Sequence, residues 1–178
     1  MSRYHLFTLP ALVLAGVPAY AVTYHTVASA QEACFGGGHV FTAVPTLLTK
    51  EQLKAVERAG AGKLRGPMVE LWRAEKGAQL AGWFLVDRVI GKHEFITFAL
   101  ALKPDGTVLS LEIMDYQENY GGEVRNADWR FQFVGQGPGA KLQLGADIRN
   151  ISGATLSCRH VTEGVKRLLA MYELILKH

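Results

Sequence analysis

Between residues 67 and 116 four strand-like segments follow one another, with turn signals setting off the third and the fourth. This series limits the chain to an antiparallel meander. Residues 67–73 alternate Val69 and Leu71 with Glu70 and Trp72, and residues 78–89 carry Trp83, Phe84 and Leu85. Gly91, Lys92 and His93 make a turn before the third segment, Phe95 to Leu102. Pro104-Asp105-Gly106 separates that segment from the fourth, Val108 to Tyr116: proline presets the first turn dihedral and glycine accepts a positive φ. Over residues 157–177 the apolar positions Val161, Val165, Leu168, Leu169, Tyr172, Ile175 and Leu176 recur at helical spacing, with Lys166, Arg167 and Glu173 off the stripe. A second, shorter helix is predicted over 49–59, where Thr49 and Gln52 stand as a capping box and Gly60 and Gly62 follow. Residues 31–48, with Gly36, Gly37 and Gly38, read as a loop with a short helix. The expected class is α+β: an antiparallel sheet packed against a C-terminal amphipathic helix and a shorter N-terminal helix.

The chain ahead of this domain has a different character. Arg3 precedes an apolar stretch over residues 6–22, and both Ala19-Tyr20-Ala21 and Ala28-Ser29-Ala30 fit a small-x-small cleavage pattern. This reads as a signal peptide, which assigns residues 1–30 to a leader and 31–178 to the domain. Uncleaved, the stretch would act as a membrane anchor, although it falls short of the roughly 20 residues of a span and Pro10 and Pro18 interrupt it. The expected location is periplasmic or extracytoplasmic, with N-terminal anchoring as the alternative. About 150 residues then remain, the size of one domain. The formal net charge of +3 is spread along the chain without a basic run, so nucleic acid is not an expected partner. Cys34 and Cys158 lack metal-type spacing; they read as one disulfide or as two buried thiols. The six histidines form no ligand pair, and no metal site is expected.

Two polar stretches interrupt this pattern. Residues 117–139 are long for a loop and hold Tyr120-Gly121-Gly122, Trp129, Phe131 and Phe133. Residues 152–157, Ser-Gly-Ala-Thr-Leu-Ser, lie where the last helix begins. Their hydroxyls suit a helix cap, worth about 1 kcal/mol. The same helix terminus, with free N–H groups and a partial positive charge, suits an anion. Gly153 and Ala154 would let a bulky ligand approach, and Thr155 places a hydroxyl beside it.

Ser152-Gly153-Ala154-Thr155-x-Ser157 resembles the flavinylation motif of the FMN-binding domain family, which includes subunits of the sodium-pumping NADH:quinone reductase and of the Rnf complex, and many exported small proteins. The stretch from Gly82 to Glu94, Tyr120-Gly-Gly-Glu-Val-Arg125 and the stretch from Trp129 to Gly135 are similar to exported single-domain members, so the resemblance spans roughly residues 65 to 176. It implies covalent FMN, linked by a phosphoester to Thr155, with Ser152, Gly153, Ala154 and Ser157 around the attachment point. It implies that an FAD:protein FMN transferase makes this bond, taking FMN from FAD. It places the loop with Glu118, Tyr120, Gly121 and Gly122 against the isoalloxazine, with Tyr120 or Trp129 as stacking candidates. Family motifs usually carry an acidic residue three before the serine. Arg149 stands there in this chain, a cation suited to pair with the phosphate, and the nearest acid is Asp147. Asp87, Lys92, His93 and Glu94 read as turn residues or as a rim of the site. Cys158, beside a helix start, reads as a buried thiol with some prospect of a lowered pKa. The implied function is an exported electron-transfer flavoprotein serving a membrane or periplasmic redox partner, without a catalytic site of its own. The alternatives are a flavin-dependent reductase acting directly on a small substrate, and a non-flavinylated binding module.

Overall fold

A computed structural model describes residues 22–60, 62–118 and 120–177. The candidate leader up to residue 21 lies outside them. The strands are β1 (Val22–Thr23), β2 (Val40–Ala43), β3 (Thr46–Leu47), β4 (Met68–Lys76), β5 (Gln79–Ile90), β6 (Phe95–Leu102) and β7 (Val108–Tyr116). The helices are α1 (Val27–Phe35), α2 (Lys50–Gly60), α3 (Ala127–Arg130) and α4 (Thr155–Met171). The strands form one antiparallel sheet in the order β1-β7-β6-β5-β4-β2, and β3 pairs with β4. The four strands of the meander are therefore neighbours in the sheet, and β6 and β7 have the expected bounds.

β6 shows why the helices lie where they do. Ile96, Phe98, Leu100 and Leu102 alternate onto one face and join Val161, Val165 and Leu168 of α4 in the main core. Ala99 and Ala101 point the other way, into a smaller cluster with Ala30 and Cys34 of α1, Phe84 and Met114. Large side chains on the α4 face and alanines beneath α1 bury the strand on both sides. Each large side chain removed from water contributes about 1.5–3 kcal/mol. α2 packs on α4. Its start is the expected capping box: the Gln52 N–H donates to Thr49 Oγ1 at 3.2 Å, and the Thr49 N–H donates to Gln52 Oε1 at 2.9 Å.

Two expectations change. Residues 31–48 hold the expected short helix as the end of α1, but in place of the expected loop they also hold two strands, β2 and β3, because pairing to β4 satisfies their backbone. The C-terminal helix begins at Thr155, two residues before the expected range, and ends in a π turn over Tyr172–Leu176. Of the two readings of the cysteines, two buried thiols is the one found: both are free and belong to the two clusters on opposite faces of the sheet, so they do not pair. One candidate cleavage site, Ala28-Ser29-Ala30, falls inside α1, with Ala30 buried.

Candidate functional site

The motif forms the corner where the chain enters α4. Ile151 and Ala154 close a turn (Ala154 N–H to Ile151 O, 3.0 Å), with Gly153 at φ +86°. That left-handed conformation suits glycine, and a Cβ there would meet nothing within 4 Å, so the backbone faces open space. Ala154 is the N-cap residue, and no side chain caps the helix. The serine and threonine cap expected from the sequence is not formed, because the turn at Gly153 places alanine at the cap position. The first N–H groups of α4 thus lack a side-chain acceptor, which is the arrangement an anion fills.

The three hydroxyls of the motif have different surroundings. Ser152 is exposed and outside the helix. Ser157 is only 4% exposed, and its hydroxyl lies 3.1 Å from the Tyr116 phenol. Thr155 is half-buried at the first helical position, and its Oγ1 accepts a 3.1 Å hydrogen bond from Asn150 Nδ2. That bond uses an oxygen lone pair and fixes the hydroxyl in place.

The glycine loop comes to this corner. The Tyr116 phenol donates to the Tyr120 carbonyl at 2.5 Å, and Gly121, at φ +84°, lies against Ala154 and Ser157. A Cβ on Gly121 would approach Tyr116 Oη to 2.9 Å, Ser157 Oγ to 3.0 Å and Ala154 Cα to 3.3 Å. The Gly122 carbonyl accepts from Arg125 Nε at 3.1 Å, and the Arg125 guanidinium lies 4.5 Å from the centre of the Tyr24 ring. The Tyr120 ring is 81% exposed. Burial raises the Tyr116 pKa; the Ser157 hydroxyl opposes the rise, and Glu118 and Glu123 add to it. The phenol thus stays neutral and keeps its hydrogen bonds.

A cavity of about 650 Å³ adjoins the corner, lined in part by Glu123, Asp128, Trp129, Arg149, Asn150 and Ser152. The volume lies in the usual range of roughly 300–1,000 Å³ for small-molecule sites. Trp129 is 1% exposed: its ring packs edge-on against Phe133 and its Nε1 donates to the Arg149 carbonyl at 2.8 Å. It therefore meets the cavity as part of the floor and offers no open ring face. The Arg149 side chain is exposed at the cavity wall, while the Asp147 carboxylate accepts from the Gln143 N–H at 2.9 Å and closes its own turn. A larger cavity, about 870 Å³, lies between α4 and residues 139–144 and holds no motif residue. The smaller one is the better candidate because its wall carries Ser152 and Asn150.

Glu118 is turned to other work. Its Oε1 accepts from the Glu94 N–H at 2.9 Å and from the His93 N–H, which pins the β5–β6 turn. Burial opposes ionisation, but the N–H groups of Glu94, His93 and Lys92 hold its pKa below the ordinary value. His160 of α4 donates from Nδ1 to the carbonyls of the same turn, Ile90 and Gly91. Asp87 pairs with Arg167 at 2.6 Å. Burial raises the Cys158 thiol, so the helix start does not activate it. Sequence reasoning missed Asn150 and Tyr116. Neither carries a local signal, since their partners lie five and 41 residues away. No group of metal-ligating side chains occurs among the described residues.

An uncapped helix start, a fixed hydroxyl, a glycine loop and a cavity thus stand side by side, an arrangement with the donors and the space that a phosphate group needs. Residues 91–170 match the family model of the FMN-binding domain, and this stretch contains both the glycine loop and the motif. The crystal structure of Shewanella oneidensis NqrC is similar, with a TM-score of 0.54 over 80% of this chain and 84% of that one, at 12% identity, a likeness of fold. No curated protein matches the chain.

Proposed function

We propose that the protein is an exported electron carrier whose FMN is joined by a phosphoester to Thr155. The observation that carries this reading is the Thr155 hydroxyl, held by Asn150 at an α4 terminus that no side chain caps. The residues fit the group. The free N–H groups of α4 and the helix dipole favour a phosphodiester anion by about 0.3–1 kcal/mol, and Arg149 adds a cation at the cavity wall. Gly153 leaves the approach to the backbone open. Tyr116 ties the loop to Ser157 and so holds Gly121 and Gly122 beside the attachment point. The exposed Tyr120 ring is the stacking candidate, and Glu118 supports the site by fixing the β5–β6 turn. FMN, when bound, supplies the redox chemistry; the chain holds it and shapes its surroundings.

The apolar leader with Arg3 supports export, with cleavage after Ala21. Cleavage there keeps β1 and α1 whole, whereas cleavage after Ala30 would remove β1 and divide α1. No helix among the described residues is long and apolar enough to cross a membrane. Covalent attachment suits a compartment where a released cofactor is lost by dilution. An FAD:protein FMN transferase would make the bond, and a membrane or periplasmic redox partner would exchange electrons with the carrier. Coexpression with such a transferase tests the reading. Flavin fluorescence should stay with the wild-type band on a denaturing gel and be absent from Thr155→Ala; a fluorescent Thr155→Ala band defeats it.

A further inference from the structure

A separate cavity lies further along α4. His160, Glu163 and Arg167 share one face of the helix and line a cavity of about 350 Å³. Lys63 and Arg65, from the connection between α2 and β4, and Arg88, from β5, close it. The charge there is unbalanced. Asp87 Oδ2 accepts from Arg167 Nη2 at 2.6 Å, and Glu163 is the one acid among the lining residues. Among the described residues, Lys63, Arg65 and Arg88 form no ion pair.

Two features make this more than a basic surface. The Arg167 side chain is 5% exposed, yet its Nε has no hydrogen-bond partner among the described residues. A buried donor left without a partner is costly, and an incoming acceptor removes that cost. Arg65 and Arg88 are held together: Arg65 Nε donates to the Arg88 carbonyl at 3.0 Å, and the two guanidiniums lie 4.2 and 4.7 Å from the centre of the Phe95 ring. Burial and then repulsion from Arg88 lower the Arg65 pKa, so a bound anion would relieve an existing strain. Planar guanidinium forks match phosphate oxygens, and several cations around one anion favour a dianion over a carboxylate.

We propose that this cavity binds a phosphate group, either free phosphate or the phosphate of a small organic ligand, separately from the attachment point at Thr155. The proposal does not rest on the flavin reading. The test uses the purified full chain, titrated with inorganic phosphate at constant ionic strength against chloride, and follows the thermal midpoint and the Arg167 Nε–H resonance. A saturable rise in midpoint with movement of that resonance is expected. The affinity should fall at least tenfold in Arg65→Ala/Arg88→Ala, and in the milder Arg88→Gln by a smaller factor; that exposed residue leaves the fold intact. Both variants keep the α4 terminus, so binding there would persist in them. A parallel titration with a nucleoside monophosphate separates the sources: tighter binding than phosphate indicates an organic ligand, equal or weaker binding indicates free phosphate, and both support the site. No phosphate effect beyond chloride, or equal affinity in wild type and both variants, overturns it.

Discussion

The Tyr116 phenol lies 3.1 Å from the Ser157 hydroxyl across 41 residues of sequence, and its proton goes to the Tyr120 carbonyl. One side chain at the end of β7 thus joins the glycine loop to the first turn of α4. Tyr116→Phe keeps the ring in the core and deletes that link. The expected loss is about 1–2 kcal/mol of stability, read by chemical denaturation, with faster amide exchange over residues 120–122. Unchanged exchange there would show that the loop is held by other contacts.

Gly121 and Gly153 share a left-handed conformation but not their surroundings. Alanine at 153 meets open space and bears only the backbone cost, about 1–2 kcal/mol. Alanine at 121 adds a collision with Tyr116, Ser157 and Ala154, and should cost about 1–3 kcal/mol more. Denaturation midpoints of the two variants measure the difference. Equal losses would contradict the close approach of the loop to α4.

Glu118 predicts a pH dependence. Its folded pKa lies below its ordinary value of 4.5, so the unfolded chain binds its proton first as pH falls. The stability that the ionised carboxylate contributes is complete above about pH 4.5 and is lost as pH falls through the lower, folded value. Glu118→Gln should be less stable than wild type at neutral pH, and the gap should close below pH 4.5. Stability curves that run parallel through this range would remove the proposed role in the β5–β6 turn.

The thiols should be inert in the native state. Burial pushes Cys34 up to about 12, and Cys158 is raised for the same reason, on the other face of the sheet. A thiol reagent should label neither residue until denaturant is added, and should then label both without prior reduction. Prompt labelling, or a need for reductant, would contradict the two separate buried positions.

Those parts of the fold with strong local chemistry were legible in the sequence. β6 and β7 are dense in apolar residues and flanked by turn residues, and the capping box marks α2. β2 was not, because it is a short, mostly exposed strand whose order comes from pairing with β4. The motif was legible as a helix start, yet not which residue caps it, since the Gly153 turn decides that Ala154 does. Trp129 stood among the stacking candidates because of its place in the loop sequence; its position beside Phe133 depends on how α3 folds against the sheet. Arg149, the departure from the family pattern, turned out to face the cavity, with its backbone held by Gln132 and Trp129.

The most direct test is peptide mapping by tandem mass spectrometry after coexpression with the transferase. Three hydroxyls stand in the motif, in different surroundings, and the proposal rests on the third: Ser157 is buried and engaged with Tyr116, Ser152 lies outside the helix, and Thr155 is held by Asn150 at the helix start. The account predicts the FMN increment on Thr155 alone. An increment on Ser152 or Ser157, or a peptide without any increment, would contradict it.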